Sequence, residues 1–281
     1  MTKNAALIAL LEGARYEVLP TANIVGKVAG AIPSGRTVTV TASPDKGLEA
    51  TLATSEQLAG EGYRVVPHLA ARMVSGPTEL EEITGRLDVA GIRDLFVPAG
   101  DADPAAGPYS DSLSLLQELE GMDHPFTRVG IAGYPESHPQ IPDEQIERAL
   151  VDKLPYATEI VSNMCLDPAL VVRWIGGLSR RDVQLPVLVG MPGPIAGHKL
   201  LAIARRIGVT GSAKFLAKNT RLFGRLLRPG GYRPERFLGR LGGTAAASGS
   251  LLQGVHLYTF NQVAETESWR SSQLEKLRQK R

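Results

Sequence analysis

The chain has 281 residues, 43% hydrophobic and 21% charged, a composition that excludes intrinsic disorder and fits a soluble globular protein with a sizeable core. Lys and Arg number 31 against 29 Asp and Glu, and the net charge of +2 is too small to argue for a nucleic-acid partner from the whole chain. The single cysteine, Cys165, excludes an intrachain disulfide, and a reducing cytoplasm is the expected compartment.

Near the start, AALIALL follows Lys3 and is followed at once by Glu12 with no small-residue cleavage site, so it reads as a short packing helix rather than a signal sequence. No apolar stretch approaches the roughly 18 residues that would argue for a transmembrane helix, and no membrane association is expected. From there, short runs rich in β-branched residues recur, each followed by a turn and a longer amphipathic segment. They are RYEVLPT at 15–21, RTVTVTA at 36–42, YRVVPHLA at 63–70, DLFVPAG at 94–100, RVGIAGYP at 128–135, EIVSNMCL at 159–166, PVLVGMPG at 186–193 and GVHLYTFN at 254–261. Helices are expected between them at 47–59, 78–89, 110–119, 143–153, 168–178 and 198–207, with Asp143 as a cap.

Alternating strand and helix units favour a parallel sheet, and about eight strands is the number that closes a barrel. A doubly wound open sheet is the competitor, but RYEVLPT carries no glycine fingerprint for a dinucleotide. The expectation is therefore a (β/α)8 barrel forming one domain over residues 1–281. About 60 residues separate the last two strands, more than a barrel unit needs, which predicts an extra helical insertion there. That insertion is basic: 214–240 carries Lys214, Lys218, Arg221, Arg225, Arg228, Arg233, Arg236 and Arg240 against Glu235 alone. It is either a solvated face or an attractor for a polyanionic ligand.

Functional groups of parallel barrels come from the C-terminal ends of the strands. Here those ends carry Glu17, Thr41 with Asp45, His68, Asp101, then Tyr134, Glu136 and His138, Asn163, and finally Tyr258 and Asn261. Glu17 stands out, because a carboxyl on the inner face of a barrel has to be paired or protonated, and a protonated carboxyl there would suit an acid catalyst. Glu136 and His138 have no further ligands in view, so no metal is expected. The glycine-rich GMPGPIAGHK at 190–199 matches neither nucleotide-binding fingerprint and reads as a plain turn.

RVGIAGYPESHP, with YRVVPHLA, AGDADP and GVHLYTFN, resembles the methylenetetrahydrofolate reductase family, whose members carry AGYPEGHP-like, APHL, RGDPP-like and HFYTLN motifs in the same order. The resemblance covers nearly the whole chain and implies the same barrel. It also implies an oxidoreductase of one-carbon metabolism that reduces 5,10-methylenetetrahydrofolate to 5-methyltetrahydrofolate, the step that supplies methionine biosynthesis. Carried over, Glu17 is the general acid that opens the five-membered ring to an iminium, and Asp101 supports the cationic pterin. Asn163 stands for a pterin-binding glutamine, and Tyr258 lies near the ligand. Thr41, His68, Gly100, Tyr134, His138 and Ala157 fall at flavin-contacting positions.

The departures concern the flavin. Ala99 replaces an arginine before the Gly100–Asp101 pair, Val151 and Asp152 stand where basic residues hold the FAD phosphates, and Gln262 replaces a common arginine. A carboxylate beside a pyrophosphate repels it. These exchanges weaken the case for FAD, the bound cofactor of typical members, and make NADH or NADPH the expected direct donor of hydride to the folate. Two alternatives stay open: a pterin-binding C1-transfer barrel of the methyltransferase type, or a non-catalytic folate or flavin carrier.

Overall fold

The computed structural model describes residues 1–136, 141–195 and 233–280. The expected strands are all present: β1 (Arg15–Val18), β2 (Thr37–Val40), β3 (Arg64–Pro67), β4 (Asp94–Phe96), β5 (Arg128–Gly133), β6 (Glu159–Ser162), β7 (Val187–Pro192) and β8 (Leu252–Tyr258). They form one eight-stranded sheet in the order β3-β2-β1-β8-β7-β6-β5-β4, with every pair parallel. A parallel bridge between His68 and Phe96 joins its two edge strands. The result is a (β/α)8 barrel whose last seam is displaced toward the C-terminal end. There Leu69, Ala71 and Arg72 donate to the carbonyls of Phe96, Pro98 and Ala99.

The described helices are α1 (Lys3–Glu12), α2 (Ile24–Ala29), α3 (Gly47–Gly60), α4 (Pro77–Val89), α5 (Ser112–Glu120), α6 (Asp143–Lys153), α7 (Pro168–Arg180), α8 (Pro234–Ala246) and α9 (Val263–Gln279). Strand alternation explains their packing. Tyr16, Val38, Val65, Leu95, Ile131, Ile160, Val189 and Leu257 are all buried members of one apolar cluster. Each such side chain contributes about 1.5–3 kcal/mol on burial. Tyr16 also donates to Glu267 of α9, a carboxylate that accepts from Arg270 and Ser271 as well.

Helix α1 is the packing helix that AALIALL predicts. Thr2 caps it by accepting from the Ala5 amide, and Ala6, Leu7, Ile8, Leu10 and Leu11 are buried, with contacts to α8, α9 and β8. Such a helix is apolar on more than one side because it is covered on more than one side. Asp143 is not the cap of α6. Pro142 holds that position without a side-chain bond and Asp143 opens the first turn, where its charge suits the helix dipole.

The expected helix at 198–207 and the basic residues 214–232 lie outside the described residues. The remainder of the basic segment forms the first part of α8, with Phe237 and Leu238 buried and Arg233, Arg236 and Arg240 exposed. This helix packs against α1 and α7, so that end of the expected insertion is an ordinary covering helix of the barrel. Among the described residues, no helix is long and apolar enough to cross a membrane.

Candidate active site

The inner face of the barrel carries charge at both ends. At the N-terminal end Arg15 forms a two-pronged pair with Glu159 across the barrel. Asp94 accepts from Arg128 and, at 3.5 Å, from Arg64. Burial raises the Asp94 pKa, while the cationic Arg64 and Arg15 pull it back.

Two residues further along β1, Glu17 reaches the next layer up. Its Oε2 lies 2.9 Å from His256 Nε2 and 3.8 Å from His68 Nε2. Parity explains the meeting: Glu17 stands beside Thr39 of β2 and Tyr258 of β8, and His256 occupies the same face of β8 two residues before Tyr258. The Glu17 side chain is 14% exposed, that of His68 12% and that of His256 3%. Burial drives the His68 pKa from 6.5 down to about 4, with Glu17 opposing and His256 assisting the drop. His68 is thus a neutral imidazole near pH 7.

Four buried polar atoms around this carboxyl have no hydrogen-bond partner: Thr39 Oγ1, Thr41 Oγ1, His68 Nε2 and His256 Nδ1. Native interiors rarely leave such groups unmet, and a cluster of them on one inner face is what a site awaiting a polar ligand or water presents. Tyr258 continues the layer. Its hydroxyl donates to the Ser162 carbonyl at 3.3 Å, and its ring stands edge-on to His256 at 5.1 Å. Burial, then Glu17, then Tyr134 push its phenol pKa well above the ordinary value, and Tyr134 is raised by burial and by Asp101. Both phenols are therefore neutral near pH 7, Tyr258 beside Glu17 and Tyr134 near Asp101, the two carboxyls singled out by sequence.

Tight backbone approaches hold these groups. A Cβ on Gly190 of β7 would lie 2.3 Å from the Ser162 carbonyl oxygen and 2.7 Å from Tyr258 Cε2, so only glycine leaves room for the tyrosine ring. Gly100 has φ +84°, and a Cβ added there would lie 2.8 Å from Ala70 Cβ, so only glycine lets the Asp101 loop pass this close to the end of β3. Arg72 ties that loop further, donating to the carbonyls of Ala102 and Ser110. Asp101 itself is exposed.

The other expected residues fall into three groups. Thr41, His68, Gly100, Asp101, Tyr134, Asn163 and Tyr258 all sit at the C-terminal ends of their strands. Asn163 is exposed, with its carbonyl oxygen occupied by the Met164 amide at 2.8 Å, which leaves its NH2 for a ligand. Ala157 is a correction: it precedes β6, where Thr158 pairs with Val129 at the start of β5. It therefore lies at the opposite end of the barrel, because the helix before it has already carried the chain back. His138 lies outside the described residues.

Two polar residues have structural tasks instead. Glu136 accepts from the buried Cys165 thiol at 3.1 Å, whose pKa is raised by burial and then by Glu136. Asn261 clamps Leu19 through both its amide and carbonyl, at 2.8 and 3.1 Å, and so fastens β8 to β1. His256 is the residue that sequence reasoning missed, although GVHLYTFN contains it and strand parity with Tyr258 was the available signal.

Ala99, Val151 and Asp152, the residues that the resemblance sets beside a flavin, offer it no cation. Ala99 is apolar and Asp152 is exposed. Lys153 is buried at the end of α6, its ammonium pKa lowered by burial with only Asp111 raising it. Among the described residues, no group of three or more His, Cys, Asp or Glu side chains is arranged to hold a metal ion. Two surface clefts of about 450 and 430 Å³ contain none of the inner-face residues described above.

No family model matches the chain. Among solved structures, the chain is similar to one from Burkholderia cenocepacia J2315 described as a candidate lyase/mutase, with 12% identity and a TM-score of 0.47. That match covers 97% of this chain and 85% of the other. The likeness is too distant to bear on the chemistry.

Proposed function

We propose that this barrel is an enzyme that reduces 5,10-methylenetetrahydrofolate to 5-methyltetrahydrofolate, with NADH or NADPH supplying the hydride directly. The single observation that carries the reading is Glu17, a carboxyl inside the barrel, bonded to His256 at 2.9 Å and surrounded by unpartnered polar atoms. The motif resemblance carries the same residue to the position of the ring-opening acid.

In this reading Glu17 protonates N10 of the folate. The N10–methylene bond breaks and an iminium forms at N5. Hydride from the nicotinamide then completes the methyl group. Asp101, which ends its strand at the same end of the barrel as Tyr134 and Tyr258, favours the cationic stage. Asn163 offers its NH2 to an acceptor on the pterin. The chain's own task is to make the cation and hold it against the donor, since an iminium accepts hydride readily. The absent cations at Ala99 and Asp152 favour a nicotinamide rather than a flavin beside the folate.

The test is NADH and NADPH oxidation by the purified protein, with and without 5,10-methylenetetrahydrofolate, after recording its visible spectrum. Folate-dependent oxidation by a colourless protein is the expected result. Stoichiometric FAD released on denaturation would remove the direct-transfer part. Folate binding with no oxidation of either nucleotide would replace the reductase by a C1-transfer enzyme or a carrier.

A further inference from the structure

The two histidines on Glu17 are placed differently, and the difference assigns them different work. His256 presents Nε2 to the carboxyl at 2.9 Å, while its Nδ1 is buried with no partner. A proton that left Nε2 could not be replaced from the far side of that ring. His68 is the reverse case. Its Nε2 is buried, has no hydrogen bond and faces Glu17 at 3.8 Å. Its Nδ1 is not among the buried unpartnered atoms, and no protein group accepts from or donates to it among the described residues. The ring sits at the displaced seam, against Phe96 at a centroid distance of 4.7 Å, with 12% of the side chain at the surface.

We propose that His68 is the proton entry for Glu17, carrying a solvent proton from Nδ1 to Nε2 and on to the carboxyl, while His256 only fixes the carboxyl's position. The proposal rests on the reading of Glu17 as the acid. Each reduction of the methylene unit by NAD(P)H consumes one proton from solvent, and Glu17, once it has protonated the folate, lies under bound ligand. One N–H bond forms at Nδ1 as the Nε2 proton passes to a Glu17 oxygen. The ring is neutral before and after, and no electrons move. It regains its starting tautomer by exchange with water once product has left. The gap of 3.8 Å is longer than a hydrogen bond, so transfer takes place through a small approach of the two side chains or through one intervening water.

Two measurements test this. In the ligand-free wild-type protein, ¹⁵N-histidine NMR reads ring N–H exchange with water. The His68 ring is expected to exchange at least about tenfold faster than the hydrogen-bonded His256 Nε2–H, the one being open to solvent and the other closed. Equal or slower exchange at His68 overturns the relay whatever reaction the protein catalyses.

The second measurement uses turnover. H68A is expected to lose about 100-fold in kcat, in the range of a removed proton-transfer group, and added imidazole is expected to restore part of it. H256A is expected to show no such rescue, because nothing reaches its place from solvent. Rescue of both, or of H256A alone, overturns the assignment, as does failure to rescue a folded H68A. If the wild type never oxidises NAD(P)H with the folate, the reductase reading fails on that assay alone, and the exchange measurement still decides the relay.

Discussion

The two ends of the barrel interior solve the same problem in opposite ways. At the N-terminal end every charge described has an opposite neighbour: Arg15 with Glu159, and Asp94 with Arg128 and Arg64. At the C-terminal end one carboxyl meets two imidazoles, and four polar atoms around it are left unmet. The first arrangement is complete without any ligand and serves to seal the barrel floor. The second is incomplete by itself. Charge inside a barrel is therefore no sign of function on its own; single unpartnered atoms also occur at Tyr109 and Trp269, and it is their clustering about one carboxyl that marks the upper end.

Substitutions at the two ends are expected to separate activity from stability. Glu17→Gln keeps the shape and loses the proton, so kcat is expected to fall by about 10²–10⁴-fold, the range for a lost acid, with folate affinity retained. Steady-state kinetics beside a folate titration reads both, and near-wild-type turnover would remove Glu17 from the chemistry. Glu159→Ala is the counterpart. It strands the buried Arg15 and is expected to cost about 3–5 kcal/mol of stability, read as a lower urea midpoint, while kcat per folded molecule stays unchanged. A kinetic defect there without a stability defect would abolish the distinction between the ends.

Acid is expected to act first on the upper end. The His68 pKa is lowered from 6.5 to about 4, so between those values the unfolded chain binds a proton that the folded one refuses. The stabilisation is complete above pH 6.5 and is lost as pH falls toward 4. It amounts to about 3 kcal/mol, as a pKa shift of this size implies. Urea unfolding at pH 7 and pH 4.5 is expected to show this fall in the wild type and a smaller one in His68→Gln. Parallel curves would mean that His68 titrates normally. The smallest effect is expected from Tyr258→Phe, which loses one hydrogen bond of about 0.5–1.5 kcal/mol to the Ser162 carbonyl. Turnover is expected to drop about tenfold or less; a loss as large as that of Glu17→Gln would make the phenol a proton donor in its own right.

The architecture was largely legible because strand signals are local. β-branched runs, separated by amphipathic segments, mark β1 to β8 whatever the tertiary contacts. The site was legible where its residues end a strand, as Glu17, His68 and Tyr258 do. It was not legible where identity alone had to specify a partner. Glu136 reads like an active-site carboxylate until Cys165 is seen against it, and Asn261 reads like a ligand contact until Leu19 fills its amide. Ala157 was carried over by alignment, and alignment is blind to which end of the barrel a loop has reached. The paired floor was missed although a signal existed: Arg15, Arg64, Asp94, Arg128 and Glu159 open their strands with both signs of charge.

The late meeting of β3 and β4 also bears on how the molecule is assembled. The carbonyls that receive Leu69, Ala71 and Arg72 belong to Phe96, Pro98 and Ala99, directly before Gly100 and Asp101. The same few peptide groups therefore finish the cylinder and set the spacing between its imidazole and its loop carboxyl. A chain with seven neighbouring strand pairs formed and this last one open would have much of its core and no working centre. The proposed centre is then completed only in the final join, as a keystone gives an arch its strength.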